Sequence, residues 1–174
     1  MSAIEVAGWL VAEIAIGRAR RPSDRPWTAL GATMSHVASL SPSSSLPIAA
    51  GVLAIRDDGR VLAVSRGADL TNWGLPFGLG EPGEDAPTIA LRELREETGL
   101  DGELVAVVYE AQAGACWAVT FLARVRGVLR SSDEGEVDWV DYERLTAPTS
   151  RHAAYNRELL RQLVRTAGTA LAAR

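Results

Sequence analysis

Between Asp85 and Thr98 the chain places hydrophobic and polar residues at the spacing of an amphipathic helix. Ile89, Leu91 and Leu94 are apolar, and charged residues fall between them, so we expect the apolar side of the helix to pack on a sheet. Gly99 follows directly, at the position where a glycine commonly ends a helix. The pattern therefore predicts a helix from about Asp85 to Thr98, with an apolar face that begins at Ile89 and Leu91.

Runs of apolar and β-branched residues on both sides of this helix predict strands. Two runs precede it, Ile48–Ile55 and Val61–Ser65, with the hairpin signal Asp57-Asp58-Gly59 between them. Two longer runs follow it, Gly102–Ala111 and Cys116–Val125. Alternation along the longer strands predicts that each presents one face to the core. The expected inward positions are Val105, Val107 and Tyr109 on the first strand, and Trp117, Val119, Phe121 and Ala123 on the second.

A short strand and a second helix are predicted at the C-terminal end of the chain. The strand is expected over Glu136–Trp139, and the helix from about Arg151 to Ala172. The expected apolar stripe of this helix is formed by Tyr155, Leu159, Leu160 and Leu163. Strands before a helix, a long strand pair after it and a closing helix indicate a fold of the α/β or α+β class.

Residues 1–46 differ in character from the rest of the chain. Residues 2–17 are predicted to be helical, but Glu5 and Glu13 interrupt them, so this helix is too short and too charged to span a bilayer. The segment also lacks the basic start of a secretory signal. Residues 35–47 are rich in Ser and Pro, which is typical of a flexible connector. We therefore expect an N-terminal helix plus linker, a cytoplasmic location and no membrane partner, with Met34 as an alternative start of the native protein.

Composition excludes several classes of function. A chain of 174 residues with 47% hydrophobic content can bury the core of one domain. Its net charge of −4 argues against nucleic acid as the main partner. Cys116 is the only cysteine and is expected to be a small core residue, and only two histidines are present, His36 and His152. A disulfide framework, a cysteine zinc site and a histidine-rich metal centre are therefore all disfavoured.

Oxygen ligands are concentrated on the central helix. Glu93, Glu96 and Glu97 stand one turn apart and are expected to share one face, opposite the apolar one. Such a cluster can be a solvated surface paired with Arg92 and Arg95, or it can hold a hard cation such as Mg²⁺ or Mn²⁺. A glycine-rich segment before the helix favours the second interpretation, because glycines let backbone atoms approach a ligand closely.

This segment follows the pattern G-x5-E-x7-R-E-U-x-E-E-x-G-U, in which U is a bulky aliphatic residue, and so resembles the Nudix box. Every fixed position is matched, by Gly78, Glu84, Arg92, Glu93, Leu94, Glu96, Glu97, Gly99 and Leu100. Phe77 departs from the commonest form of the box, which has a second glycine there. It either reshapes the loop at the metal or only fills space. The resemblance does not extend to residues 1–46, so we expect the Nudix hydrolase domain to comprise residues 47–174.

The resemblance implies an αβα sandwich, with a mixed β-sheet between helices. It also implies a Mg²⁺- or Mn²⁺-dependent hydrolase that cleaves a nucleoside diphosphate linked to another group by water attack at phosphorus. The implied metal ligands are Glu93, Glu96, Glu97 and the carbonyl of Gly78. Arg92 is expected to hold a glutamate in position, and Glu84 to be structural.

Further site residues are expected outside the box. Arg66 lies where Nudix proteins often carry a basic residue near the substrate phosphates, although a surface arginine is an equal alternative. Trp117 is a candidate for stacking on a nucleobase, and a buried core tryptophan is the alternative. Glu134, in the acidic segment after the long strands, is the candidate for an additional ligand or base, with Glu136 behind it. Glu96 is the other candidate for the base.

The resemblance leaves the substrate open. The motifs associated with NADH, ADP-ribose and diadenosine polyphosphate hydrolases are absent after the box, which leaves a nucleoside triphosphate, oxidised or not, as the expected nucleotide-type substrate. Hydrolysis of ADP-ribose, a sugar nucleotide or a dinucleoside polyphosphate is the first alternative. A nucleotide sensor without turnover and a prenyl diphosphate isomerase are the others. Formation of a homodimer through residues 1–46 is compatible with all of these functions.

Overall fold

The computed structural model of the protein describes residues 46–56, 58–150 and 152–172, apart from the side chains of 164 and 166–172. The helix and linker expected over residues 1–46 lie outside this description except for Leu46, and Met34 lies outside it too. The strands are β1 Ile48–Leu53, β2 Val61–Arg66, β3 Asp69–Gly74, β4 Phe77–Leu79, β5 Asp101–Ala113, β6 Cys116–Arg126 and β7 Val137–Val140. The helices are α1 Ala86–Thr98, α2 Tyr142–Thr146 and α3 Ala153–Ala172.

Two sheets form the centre of the described fold. The larger has the strand order β4-β1-β6-β5 and is mixed, because β1 pairs with β6 in parallel and the other neighbours are antiparallel. The smaller has the order β3-β2-β7 and is antiparallel throughout. The predicted mixed sheet between helices is confirmed, whereas the smaller sheet, β3, β4 and α2 were not predicted.

Strand β1 separates two hydrophobic clusters. Ala50 and Val52 belong to the cluster that packs against α1, whereas Leu53 belongs to the cluster that includes Leu159 of α3. Adjacent residues of a strand point to opposite faces, so α1 and α3 cover the two sides of the larger sheet. None of the helices in the described part of the chain is long and apolar enough to cross a membrane.

The predicted turn between β1 and β2 is present, but the two strands separate into different sheets. Residues 54–56 and 60–62 still bond as a hairpin, through Arg56 N to Arg60 O at 2.9 Å and Leu62 N to Ala54 O at 3.0 Å. Gly59 adopts a φ of 85° in the turn. Past these bonds β1 pairs with β6 and β4, while β2 pairs with β3 and β7.

Both ends of α1 agree with the sequence pattern. Asp85 is the N-cap, and its carboxylate accepts a hydrogen bond from Thr88 N at 2.9 Å. Gly99 ends the helix in the left-handed conformation with a φ of 73°, and its N–H bonds to Arg95 O. The position of Leu91 was predicted wrongly, because its side chain is exposed and Ala90 is buried in its place.

The inward positions of β5 were also predicted wrongly. Val107 packs on the cluster beneath α1, but Tyr109 packs on the cluster beneath α3. The register against β6 shifts between Leu104 and Ala106 and again between Val107 and Tyr109. Each irregularity reverses the alternation that follows it, so a strict period of two fails along this strand. On the regular strand β6, the four residues expected to face the core do pack against the α1 cluster.

Candidate active site

Helix α1 buries two of its three box glutamates at the edge of its apolar face. The buried side of the helix consists of Ile89, Ala90, Glu93, Leu94, Glu97 and Thr98. Glu93 is 8% exposed and Glu97 is 1% exposed, while the side chain of Glu96 is 58% exposed. The expectation of carboxylates opposite the apolar face is therefore wrong for Glu93 and Glu97, because both point towards β4 from the sheet side of the helix.

Arg92 ties three glutamates together. Its guanidinium donates to both oxygens of Glu84 at 2.9 Å, to Glu93 Oε1 at 2.7 Å and to Glu96 Oε2 at 3.0 Å. It also donates to the carbonyl of Leu79 at 3.0 Å. Glu84 additionally accepts a hydrogen bond from Glu81 N at 2.8 Å. These bonds fix the start of α1 on the end of β4 and orient the Glu93 carboxylate.

Glu97 is a buried carboxylate whose two oxygens have different surroundings. Oε2 accepts a hydrogen bond from the backbone N–H of Phe77 at 2.9 Å. Oε1 has no hydrogen-bond partner among the described residues, and its nearest cation, Arg66 NH1, is 3.9 Å away. Burial raises the pKa of Glu97 to about 8, against the opposing effects of the Phe77 amide and Arg66.

Gly78 and Phe77 bring β4 against these carboxylates. A Cβ atom on Gly78 would lie 2.0 Å from Glu93 Oε1, so only glycine allows this approach. The Phe77 ring packs edge-on against Tyr155 of α3, with ring centroids 6.0 Å apart, and leaves no space for a Cβ on Gly51. Phe77 therefore fills space on the α3 side of the sheet, while its amide meets Glu97.

The acidic segment after β6 lies close to the two buried carboxylates. The charge of Glu134 contributes to raising the pKa of both Glu93 and Glu97, for which burial is the largest cause. The carboxylate of Glu136 instead accepts a hydrogen bond from Ser131 Oγ at 2.7 Å. Of the two candidates in this segment, Glu134 is therefore the one whose charge acts on the box.

Trp117 is placed with the core and not with the carboxylates. It lies opposite Ile48 on β1, packs against the α1 cluster and donates from Nε1 to Glu110 Oε2 at 3.4 Å. These contacts match the alternative of a core tryptophan. Arg66, in contrast, lies beside Glu97 at the end of β2. Cys116 is partly buried at the start of β6, and its thiol contacts the carbonyl of Ala113.

Arg92 affects the metal-binding geometry of the site. Within residues 46–56, 58–150 and 152–172, no three Asp, Glu, His or Cys side chains converge as a ready metal cluster. Arg92 bonds to Glu93 and Glu96, while the Phe77 amide bonds to Glu97. On the outer side of α1, Glu96 borders an open hollow of about 570 Å³ that also includes Arg95 and Arg130.

Sequence inspection missed two contributors to this site. The Phe77 amide is a backbone donor, which no side-chain pattern reveals, and it binds Glu97. Ser65, buried at the end of β2, bonds to the backbone of Glu136 across 71 positions of sequence. A single serine inside an apolar strand gives no signal of such a contact before the fold is known.

Comparison with known proteins identifies the family of this arrangement. The family model described as the NUDIX domain matches residues 45–163. A MutT-like protein from Streptomyces ambofaciens is 37% identical over 95 residues, which are 52% of this chain and 60% of that protein. The 8-oxo-dGDP phosphatase of Mus musculus is 37% identical over 86 residues, 47% of this chain and 27% of its own length. The chain thus matches less than two thirds of the length of these curated relatives.

A solved structure supports the fold. The crystal structure of an ADP-ribose pyrophosphatase from Streptococcus suis 89-1591 superimposes with a TM-score of 0.58 and 19% sequence identity, covering 70% of this chain and 92% of that chain. At this identity the likeness concerns the fold alone. Because the family model covers more than half of the sequence and the sandwich fold agrees with it, this chain belongs to the Nudix family.

Proposed function

We propose that this protein is a diphosphatase that hydrolyses a phosphoric anhydride bond in a nucleotide-type substrate, with a divalent cation as cofactor. The observation that carries the proposal is the buried Glu97 carboxylate, whose Oε1 has no hydrogen-bond partner among the described residues and faces Arg66 at 3.9 Å. An ionised carboxylate is costly to bury without compensation, and a bound cation supplies that compensation.

The donor set fits Mg²⁺ or Mn²⁺. Glu93 and Glu97 are buried side by side, Glu96 lies one turn away, and the backbone of Gly78 lies against Glu93. All of these ligands are oxygens, which hard divalent cations prefer. Arg92 holds both Glu93 and Glu96, so it orients the two carboxylates that would meet the cation. When bound, the cation neutralises the diphosphate and lowers the pKa of a coordinated water.

The remaining groups have separate roles in the proposed reaction. Arg92 positions Glu93 through its hydrogen bond of 2.7 Å and is itself anchored on Glu84. Glu134 is an additional ligand of the cation or the base that accepts the proton of the attacking water, because it is exposed to solvent and its charge acts on both buried carboxylates. Glu96 is the second candidate for this base, although Arg92 engages its carboxylate at 3.0 Å.

Arg66 is proposed to bind a substrate phosphate. Its side chain is 29% exposed as a whole, while Nε is buried and has no hydrogen-bond partner among the described residues. Its nearest acidic partner, Glu97, lies at 3.9 Å, beyond hydrogen-bonding distance. A cation held this loosely beside the carboxylates is suited to meet an anionic substrate when it arrives.

The substrate class is inferred from relatives together with the site. Relatives of this chain include a MutT-like protein and an 8-oxo-dGDP phosphatase, which favours a nucleoside di- or triphosphate, including oxidised forms. ADP-ribose, sugar nucleotides and dinucleoside polyphosphates form the second candidate class. A sensor without turnover is disfavoured by the complete set of box glutamates.

A substrate panel with Mg²⁺ or Mn²⁺ tests the proposal. It compares wild type with Glu97→Gln on nucleoside triphosphates, 8-oxo-dGTP, ADP-ribose, sugar nucleotides and dinucleoside polyphosphates. Glu103→Gln is the matched control, because it is the same substitution at a side chain 75% exposed on β5. Hydrolysis that Glu103→Gln retains and Glu97→Gln loses supports the diphosphatase and names its substrate. A folded wild type that binds Mn²⁺ and hydrolyses none of these compounds contradicts it and favours the sensor.

A further inference from the structure

Ser65 is a fully buried serine near the end of β2, next to Arg66. It is 0% exposed, and the register of β2 against β3 is irregular between Ser65 and Arg66. A buried hydroxyl needs partners for both its donor and its acceptor. Ser65 Oγ donates to the carbonyl of Gly67 at 2.8 Å and accepts from Glu136 N at 2.9 Å. Its hydrogen-bonding capacity is thus used to join the end of β2 to the acidic segment.

The backbone reinforces this junction on both sides of Gly135. Ser65 N donates to the carbonyl of Glu136 at 2.8 Å, and Gly67 N donates to the carbonyl of Glu134 at 2.8 Å. The acidic segment therefore continues the hydrogen bonding of β2 like a short additional strand, and Gly67 and Gly135 form a parallel bridge. Within the described part of the chain, Glu134 is held through its own backbone and its carboxylate makes no hydrogen bond, which leaves that carboxylate available.

Gly135 allows the two segments to touch. A Cβ atom at this position would lie 2.2 Å from the carbonyl oxygen of Ser65, which is a clash with backbone that no rotamer change relieves. Gly135 is buried while Glu134 and Glu136 on either side are exposed. The contact thus places the carboxylates of Glu134 and Glu136 in different surroundings. Glu136 accepts a hydrogen bond from Ser131. Glu134 is close enough to the box for its charge to act on Glu93 and Glu97.

We propose that Ser65 is a positioning residue for the metal site, holding the acidic segment on β2 so that the Glu134 carboxylate lies beside Glu93 and Glu97. The inference rests on the proposed function, since it gives Glu134 a task at the cation. Ser65 touches neither substrate nor cation in this scheme and acts only through Glu134. Residues that orient metal ligands in this way commonly change metal affinity by about 10-fold or more when they are removed.

A double-mutant cycle on the full-length protein separates positioning from a general structural role. The variants are Ser65→Ala, Glu134→Gln and the double substitution, and the readouts are Mn²⁺ affinity by electron paramagnetic resonance, kcat and KM, and Tm in EDTA. Each single substitution is expected to weaken Mn²⁺ binding about 10-fold, and the double substitution to be no weaker than Glu134→Gln alone. Gly135→Ala, which displaces the same contact from the other side, is expected to weaken binding as Ser65→Ala does.

Ser150→Ala is the matched control for losing a buried serine hydroxyl. Ser150 is 5% exposed and its Oγ donates to the carbonyl of Trp73 at 2.8 Å, so its replacement removes a similar hydrogen bond in another part of the fold. We expect it to lower Tm without changing Mn²⁺ affinity.

Unchanged Mn²⁺ affinity in Ser65→Ala, or losses of affinity that add in the double variant, would overturn the positioning role of Ser65 while leaving the proposed diphosphatase activity intact. A wild type that binds no Mn²⁺ would overturn both proposals together.

Discussion

At the scale of single residues, Glu97 is an acidic side chain placed where a negative charge is unfavourable. It is 1% exposed, one oxygen has no hydrogen bond within the described residues, and it lies next to the negative charges of Glu93 and Glu134. Burial and like charges both favour the protonated form, which is why the pKa of Glu97 rises from its ordinary value of 4.5 to about 8. Sites that are costly to the folded state in this way are commonly functional.

Without divalent cations, this carboxyl should make the folded state lose stability as pH rises. In the folded state the pKa is raised, so between pH 4.5 and about 8 the folded protein binds more protons at Glu97 than the unfolded one does. The protonated Glu97 carboxyl contributes fully to the free energy of unfolding below pH 4.5. This contribution is lost as pH rises to about 8. We expect the free energy of unfolding to fall by on the order of a few kcal/mol over this range, relative to Glu97→Gln, which lacks this titration. The fall is followed as a decrease in Tm in EDTA.

Comparison of the variants separates the effect of Glu97 on the pH profile of Tm from the effects of the other titratable groups. Glu103→Gln should follow the wild-type pH profile, because its side chain is 75% exposed. Saturating Mn²⁺ should remove most of the difference between wild type and Glu97→Gln at pH 8 or reverse its sign, since a cation that binds only the folded state stabilises it. Parallel profiles for wild type and Glu97→Gln in EDTA would contradict the raised pKa.

At the scale of elements, α1 is a helix whose ends are determined by local chemistry and whose sides are determined by packing. Asp85 caps the first turn and Gly99 terminates the last. Between them, one buried side carries both the apolar contacts of Ile89 and Leu94 and the two site carboxylates. The position at which the helix ends is important for the site, because Leu100, the residue after Gly99, is buried in the core and only 3% exposed.

Gly99→Ala should destabilise the protein through the helix end and not through the site. Gly99 has a φ of 73°, which an L-residue with a Cβ adopts at a cost of about 1–2 kcal/mol, and its Cβ would also meet Arg130 Cβ at 3.0 Å. Gly99→Asn meets the same neighbour but tolerates the left-handed conformation better, so its loss should be smaller. Urea unfolding measures both. Equal losses for Ala and Asn would assign the cost to Arg130 and not to the backbone conformation.

At the scale of the whole molecule, the site depends on elements from both sides of the larger sheet. Helix α1 brings the box glutamates from one side, and Tyr155 of α3 supports Phe77 from the other, with Thr120 of β6 bonded to the Tyr155 hydroxyl at 2.8 Å. The smaller sheet contributes Ser65 and Arg66 at the end of β2. All of these elements lie after residue 46, so we propose that residues 47–174 form the catalytic domain.

Removal of residues 1–45 tests this domain assignment. A chain that begins at Leu46 should keep the Tm and the hydrolytic activity of the full-length protein, because the family match begins at residue 45 and the site is built from later elements. Light scattering of both chains tests the expected dimer at the same time. A fall from two chains per particle to one after truncation supports dimer formation through this segment, and an unchanged number of chains per particle contradicts it. Loss of folding in the shortened chain would contradict the domain boundary.

Local patterns in the sequence were sufficient for the helix that carries the box. Its capping residue, its terminating glycine and the identity of its glutamates all lie within about four turns of helix, where short-range hydrogen bonding and spacing decide the structure. Strand β6 is regular, so alternation also predicted its inward face. The family resemblance added the mixed sheet between helices, which local patterns alone left among several α and β arrangements.

Other features depended on contacts between distant parts of the chain. Alternation failed along β5 because two irregularities in its pairing with β6 reverse the side chains that follow. It failed at Leu91 because the direction in which α1 docks on the sheet buries Ala90 and the carboxylates of Glu93 and Glu97 instead. Spacing along a helix defines which residues share a side, but not which side meets the sheet.

By itself, then, the sequence determined the helix, its three glutamates and the family, because these reside in short segments whose chemistry is local. Only the tertiary structure decided that Glu97 is buried with the Phe77 amide on one oxygen and Arg66 near the other, and that Glu134 rather than Glu136 lies near it. The contact of Ser65 with the acidic segment joins positions 71 residues apart. Such a pairing is set by how β2 and the segment before β7 meet in space, and no periodicity along the chain encodes it.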